Sequence, residues 1–328
     1  MSGSHASSAP GLSLEQSAVL TRRATSLSVL VAAILIVIKG FAWWQSGSVS
    51  MMASLADSSL DLVASLATFF AVRYATAPPD AEHRFGHGKA EAFASLLQGG
   101  LVFASAALIG QEAFNRLAHP EPIQQEGWAM AVMVASIVLT LALITAQSRV
   151  LKQTGSVAVS GDRAHYVADL ASNAISLIGI AAASLFVQAD AVAGLVIAAW
   201  LVWGAVGVFS EASVQLMDRE LPDDQRARIV SLITQDGQIM GVHQLRTRAS
   251  GPFVHIQMHA DLDPTLSLTE AHDVMIAAEN RVLVEFPAAD ILIHPDPRGL
   301  AEPHGGAFAE MAASHEEQLE DELRYTRP

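Results

Sequence analysis

The sequence has 328 residues, of which 51% are hydrophobic and only 16% charged, and its mean hydropathy is positive, the profile of a membrane protein with a soluble part. It contains no cysteine, which excludes disulfides, thiolate metal sites and cysteine nucleophiles and leaves any metal to His, Asp and Glu. A formal net charge of −14, with most of the acidic excess in the last third, excludes the basic face that nucleic-acid binding needs.

Residues 1–25 read as a polar, Ser/Ala-rich, disordered leader without a signal peptide. Six membrane spans are predicted, at 26–45, 51–74, 91–117, 128–147, 156–187 and 189–214, the first ending in the interfacial pair Trp43-Trp44. Arg22, Arg23, Arg73, Arg84, Lys89, Arg149, Lys152 and Arg163 fall on one side of that arrangement and Arg116 on the other. The bias predicts an integral protein of the plasma (inner) membrane with both termini in the cytoplasm.

Asp57 and Asp61 stand four residues apart in the second span, and His165 and Asp169 repeat that spacing in the fifth. On a helix each pair shares one face. An ionisable group within a span costs several kcal/mol, about 2.5–3.5 on lenient scales, so its default reading is an ion or proton pathway. Three carboxylates and one imidazole make a four-coordinate site suited to a small divalent cation. Zinc fits best; iron(II), cobalt, cadmium and manganese remain open, manganese disfavoured by the imidazole. The bland alternative is packing by charge pairing, but the one base in the first span, Lys39, does not neutralise three acids. Asp57 and Asp61 lie roughly 9–15 Å from the outer end of their span at 1.5 Å per residue, near mid-bilayer. A fifth helix starting near Ser156 would then put Asp162 and Arg163 in a wet, inward-facing vestibule, with Asn173 either supporting the site or packing helices.

The loop after the second span reads Pro78-Pro79-Asp80-Ala81-Glu82-His83-Arg84-Phe85-Gly86-His87-Gly88-Lys89. Its Pro and Gly residues let Asp80, His83 and His87 close on one cation. After residue 216 a soluble α+β domain is expected, in the order helix 222–236, strand 242–248, strand 253–262, helix 267–285 and strand 290–294, an open sheet with helices on one face. Along the second strand Val254, Ile256, Met258, Ala260 and Leu262 alternate with His255, Gln257, His259 and Asp261. His243, His259, His272, His294 and Asp296 near the strand ends favour one or two metal centres, with His255 ranked lower. Residues 299–328, which include His304 and His315, read as an acidic, solvated tail.

The six spans, the Asp57/Asp61 and His165/Asp169 quartet, the run His83-Arg84-Phe85-Gly86-His87-Gly88-Lys89-Ala90-Glu91 and the His-bearing αββαβ domain together resemble the cation diffusion facilitator family, in its bacterial zinc and iron efflux branch. The resemblance spans residues 20–298. It implies a six-helix transmembrane domain at 26–215 and a ferredoxin-like, metallochaperone-like cytoplasmic domain at 216–298, in a homodimer that exports a divalent metal in exchange for protons. It further implies that the quartet is the transport site, that Asp80, His83 and His87 form a cytoplasmic-side site, that the tail-domain set is regulatory, and that Lys89 and Asp218 form a charge interlock.

Two other readings compete. A membrane metallohydrolase would need a run such as His-Glu-x-x-His, which is absent, so the chain reads as a non-enzyme. A membrane-anchored metal sensor would leave the quartet without a purpose.

Overall fold

Ser13 opens the first helix: its hydroxyl accepts the Gln16 N–H while the Gln16 side chain accepts the Ser13 N–H, satisfying two amides that a helix start leaves bare. In the computed structural model, which describes residues 12–47, 49–118, 127–182 and 189–299, this capping box starts α1 (Leu14–Ser46) well before residue 26. The described end of the expected leader is therefore helical. Hydropathy marks where a helix becomes apolar, whereas the cap marks where it begins. Residues 1–11 of the leader and 300–328 of the acidic tail, with His304 and His315, lie outside the described residues.

Five more long helices follow: α2 (Val49–Ala75), α3 (Ala90–Ala118), α4 (Gly127–Thr154), α5 (Val157–Ala182) and α6 (Ala189–Leu216). All but α5 are long and apolar enough to cross a membrane by length and composition. The first half of α5 is interrupted by Asp162, Arg163, His165 and Asp169. The architecture is thus a helical membrane unit followed by an α+β unit that begins at Glu220.

The membrane unit is knotted around Asp162, which is 1% exposed. One carboxylate oxygen accepts from Ser28 Oγ of α1 at 2.6 Å and Gln147 Nε2 of α4 at 2.8 Å, the other from Gln98 Nε2 of α3 at 3.2 Å. Gln98 also reaches Thr68 Oγ1 of α2 at 2.8 Å, and Tyr166, one turn along α5, shares a 2.8 Å hydrogen bond with Ser65 of α2. Hydrogen bonds to a carboxylate are the strong kind, and each of these ties a different helix to α5. The expected wet vestibule is accordingly not found. Asp162 is enclosed by donors from three helices, and Arg163 is half-buried, donating to Ser148 Oγ at 2.8 Å.

The approach of α5 to α3 depends on Gly161. A Cβ there would lie 2.9 Å from the backbone Cα of Ser95 and 3.2 Å from Gln98 Cβ, so that α3 would have to shift to admit it.

In the second unit Pro222 precedes α7 (Asp223–Ile233), with Asp223 and Asp224 in the first turn where the helix dipole favours acids. Strands β1 (Gly241–Ser250) and β2 (Phe253–Leu262) follow, then α8 (Leu268–Glu285) behind a Ser267/Glu270 capping box, then β3 (Ala289–Pro297). The αββαβ order is the expected one, with the outer strands longer at both ends. The sheet order is β1-β2-β3, and β2 and β3 run parallel, as a helical crossover requires. Val254, Ile256, Met258, Ala260 and Leu262 are all buried, with Ala271, Val274, Ala278 and Val282 recurring at helical spacing along α8. The opposite strand face is left to the His and Asp residues.

Gly161→Ala should destabilise the membrane unit by about 1–3 kcal/mol, the usual cost of overpacking. A lower Tm of the detergent-solubilised protein checks this, and an unchanged Tm would show that α3 and α5 can part.

Candidate metal centres

Within the membrane unit Asp61, His165 and Asp169 each offer a ligand atom within 4.8 Å of the others. His165 Nε2 is 3.1 Å from Asp61 Oδ1 and 3.7 Å from Asp169 Oδ2, and both Asp61 and His165 are buried. The four-residue spacing on α5 stacks His165 under Asp169, while α2 supplies Asp61 from across the interface. His165 Nδ1 and Asp169 Oδ2 are buried without a hydrogen-bond partner among the described residues. Buried polar atoms are rarely left so, and a cation held by Asp61, His165 Nε2 and Asp169 would answer the carboxylate's need. Asp57 does not join this close trio. It is exposed, and lines a cavity of about 190 Å³ shared with Asp61, Asp169, Ser172 and Asn173.

A second cluster lies in the α2–α3 loop. Asp80 Oδ1 accepts the backbone N–H groups of Glu82 at 2.9 Å and His83 at 2.6 Å, which folds the loop back on itself. Gly86 has φ 79° and its N–H reaches His83 O at 2.9 Å, a turn that favours glycine. His87 Nε2 then comes within 3.2 Å of Asp80 Oδ2, and the His83 and His87 rings lie 4.7 Å apart. The N–H of His83, with that of Glu82 and the two imidazoles, holds the Asp80 carboxyl below its usual range against the opposing effect of burial. His87 is buried at 6% exposure, and its Nδ1 has no partner among the described residues. Two residues on, Lys89 Nζ is 2.9 Å from Asp218 Oδ1, both side chains more than a third exposed. A pair of that kind contributes about 0–1 kcal/mol.

The third cluster sits on the polar strand face of the second unit. The parallel register sets His259 beside His294 and Asp261 beside Asp296, so residues two apart on each strand share a face. Asp296 is the hub, 2.8 Å from His259 Nδ1, 3.1 Å from His243 Nε2 and 3.3 Å from His294 Nε2. Burial pushes its carboxyl up, but the His259 hydrogen bond and the charges of His259, His294 and His243 outweigh it and hold Asp296 below its usual value.

Residues 26–217 match the family described as cation efflux transmembrane domain, and residues 221–298 match the cation efflux protein, cytoplasmic domain. The chain belongs to the cation efflux family. The resemblance to cation diffusion facilitators thus holds over both units. A cation-efflux pump FieF of Yersinia enterocolitica is 41% identical over 297 residues, 90% of this chain and 99% of its own. A FieF of Yersinia pestis is 42% identical over 277 residues, 84% of this chain and 92% of its own. A solved structure of CzrB in its zinc form covers 26% of this chain and 98% of its own at 28% identity, with a TM-score of 0.25.

Two expected site residues of this cation efflux protein stand apart from the clusters. Asp57 lies along the cavity, as described, and His272 is exposed on α8 rather than on the strand face that carries His243, His259, His294 and Asp296. Asp261 was missed as a ligand candidate, although its Oδ1 is 3.7 Å from His243 Nδ1. The signal was its position two residues after His259. His255 pairs instead with Asp290, at 3.1 Å.

Because Asp296 has a depressed folded value, its contribution to stability is present above the unfolded carboxyl's range, near pH 4, and is lost as pH falls through the folded value. In metal-free protein Asp296→Asn should therefore speed amide exchange of β3 several-fold at pH 6, with the gap to the parent closing below about pH 4. A gap that persists at low pH would assign the loss to packing.

Proposed function

We propose that this protein is a divalent metal/proton antiporter that exports metal, zinc by best fit, from the cytoplasm by alternating access. The observation that carries the reading is the trio Asp61, His165 and Asp169, closed to within 4.8 Å between α2 and α5, with Asp61 and His165 buried and Asp169 half-buried beside an open cavity. Asp57 on the cavity wall completes the quartet when a cation draws it in. The names of the relatives, cation-efflux pumps, support the direction of transport. The basic loops on one side support cytoplasmic termini in the inner membrane.

The coupling follows from acid–base chemistry. His165 must be neutral and the acids ionised to hold a metal, so protons arriving at the same atoms displace it. With Asp57 drawn in, all four ligands come from protein and no coordination position is left for a hydrolytic water, which fits carriage rather than catalysis. Asp80, His83 and His87 would collect metal at the cytoplasmic mouth. The cluster centred on Asp296 would respond to cytoplasmic metal and, by neutralising acidic units, favour a homodimer.

Zinc flux into proteoliposomes under an imposed proton gradient tests this. Asp61→Ala and His165→Ala should each reduce gradient-dependent flux to below about a tenth of the parent rate, since each removes a ligand made from a buried charged pair. Zinc binding without flux in the parent would favour the sensor, and full activity in Asp61→Ala would remove the site.

A further inference from the structure

The cavity beside the transport ligands carries a cation in its own wall. Among its described lining residues Lys39 is the only base, facing a space bounded by Asp57, Asp61 and Asp169. It is 6% exposed, and its Nζ donates to Ser58 Oγ at 2.6 Å and to the Ser54 carbonyl at 3.2 Å. Ser58 sits on α2 between Asp57 and Asp61, so the ammonium is clipped to the very helix that presents two of the ligands. An ammonium taken this far from water is costly and needs a reason to be there. Its hydrogen-bond partners are neutral, so its charge is balanced through space by the three carboxylates rather than by one ion pair.

The balance has a sign that matters. With His165 neutral, three carboxylates, one ammonium and one divalent cation sum to zero charge. Without the ammonium the loaded site would be an anion in a low-dielectric setting and would grip the metal harder. A site that must release its ion at every cycle gains from weaker binding, because conduction requires an ion to leave as well as to enter. We propose that Lys39 is a tethered counter-cation that weakens metal binding at the quartet and so sets its release rate. It touches no metal in this scheme and acts through the carboxylates. The inference rests on the transport reading above, with the affinity of the quartet as its own readout.

The experiment uses full-length protein, with the quartet's zinc binding defined as the component of the isotherm that Asp61→Ala lacks. Lys39→Gln keeps a hydrogen-bond donor for Ser58 but removes the charge. Lys39→Arg keeps the charge. Lys39→Met, neutral and of similar length, serves where Gln is not tolerated. Lys39→Gln should lower the quartet's Kd for zinc by about tenfold or more. In proteoliposomes it should lower KM and maximal rate together, while Lys39→Arg stays within about threefold of the parent, because the interaction is one of charge. A Lys39→Gln or Lys39→Met protein with the parent's Kd overturns the inference. Equal loss of rate in the Gln and Arg variants with Kd unchanged also overturns it, since a helix clip would behave so. A parent that binds zinc at the quartet but moves none refutes transport alone, and the Kd comparison still decides Lys39. A parent with no quartet component overturns both.

Discussion

A buried carboxylate must find donors, and Asp162 takes them from three neighbouring helices at once. In a membrane the apolar surfaces of helices give little preference for one neighbour over another, because lipid is as good a partner as leucine. Directional polar contacts therefore set which helices meet and at what height. Ser28, Gln98 and Gln147 fix α1, α3 and α4 against α5, and Tyr166 with Ser65 fixes α2. His165 lies one turn beyond this anchored point, so its height relative to Asp61 follows from the knot.

The three candidate clusters bring similar residue sets together by different backbone means. Helices use a four-residue repeat and meet across an interface, as with Asp61 and the pair His165/Asp169. The sheet uses a two-residue repeat and a parallel register, which brings His259, Asp261, His294 and Asp296 onto one face. The loop uses neither, and depends on the Asp80 carboxylate capping two amides and on a glycine turn. The helix and strand residues are positioned by partners distant in sequence, whereas those of the loop contact one another.

Spacing within one element was the readable part of the site. The stacking of His165 and Asp169 on α5, the alternation along β2 and the αββαβ order follow from local periodicity and are seen in the structure, whereas the pair on α2 divides between the trio and the cavity wall. Contacts between elements were not readable. Asp162 looked solvated because the glutamines and serine that enclose it lie on other helices, each unremarkable in its own segment. His272 lies close in sequence to the other histidines but on α8, off their strand face. The start of α1 was misplaced for a different reason: a capping box is polar, and hydropathy discards it. Asp57 shares the face of Asp61 by spacing, yet a helix face is wide enough to put one acid in the trio and the other on the cavity wall.

The cavity and the knot occupy opposite halves of the same helices. Lys39, Asp57 and Asn173 line the half nearer the α1–α2 connection, while Asp162, Gln98 and Gln147 fill the half nearer the α4–α5 connection. An ion crossing the whole unit would meet open space on one side of His165 and a closed set of hydrogen bonds on the other. A route on that side would require those bonds to be exchanged for water, at about 1.5–3 kcal/mol for each one made to the carboxylate. A carboxylate uncovered by such an exchange would itself attract a cation, so the group that ties the helices together when closed would line the space if it opened.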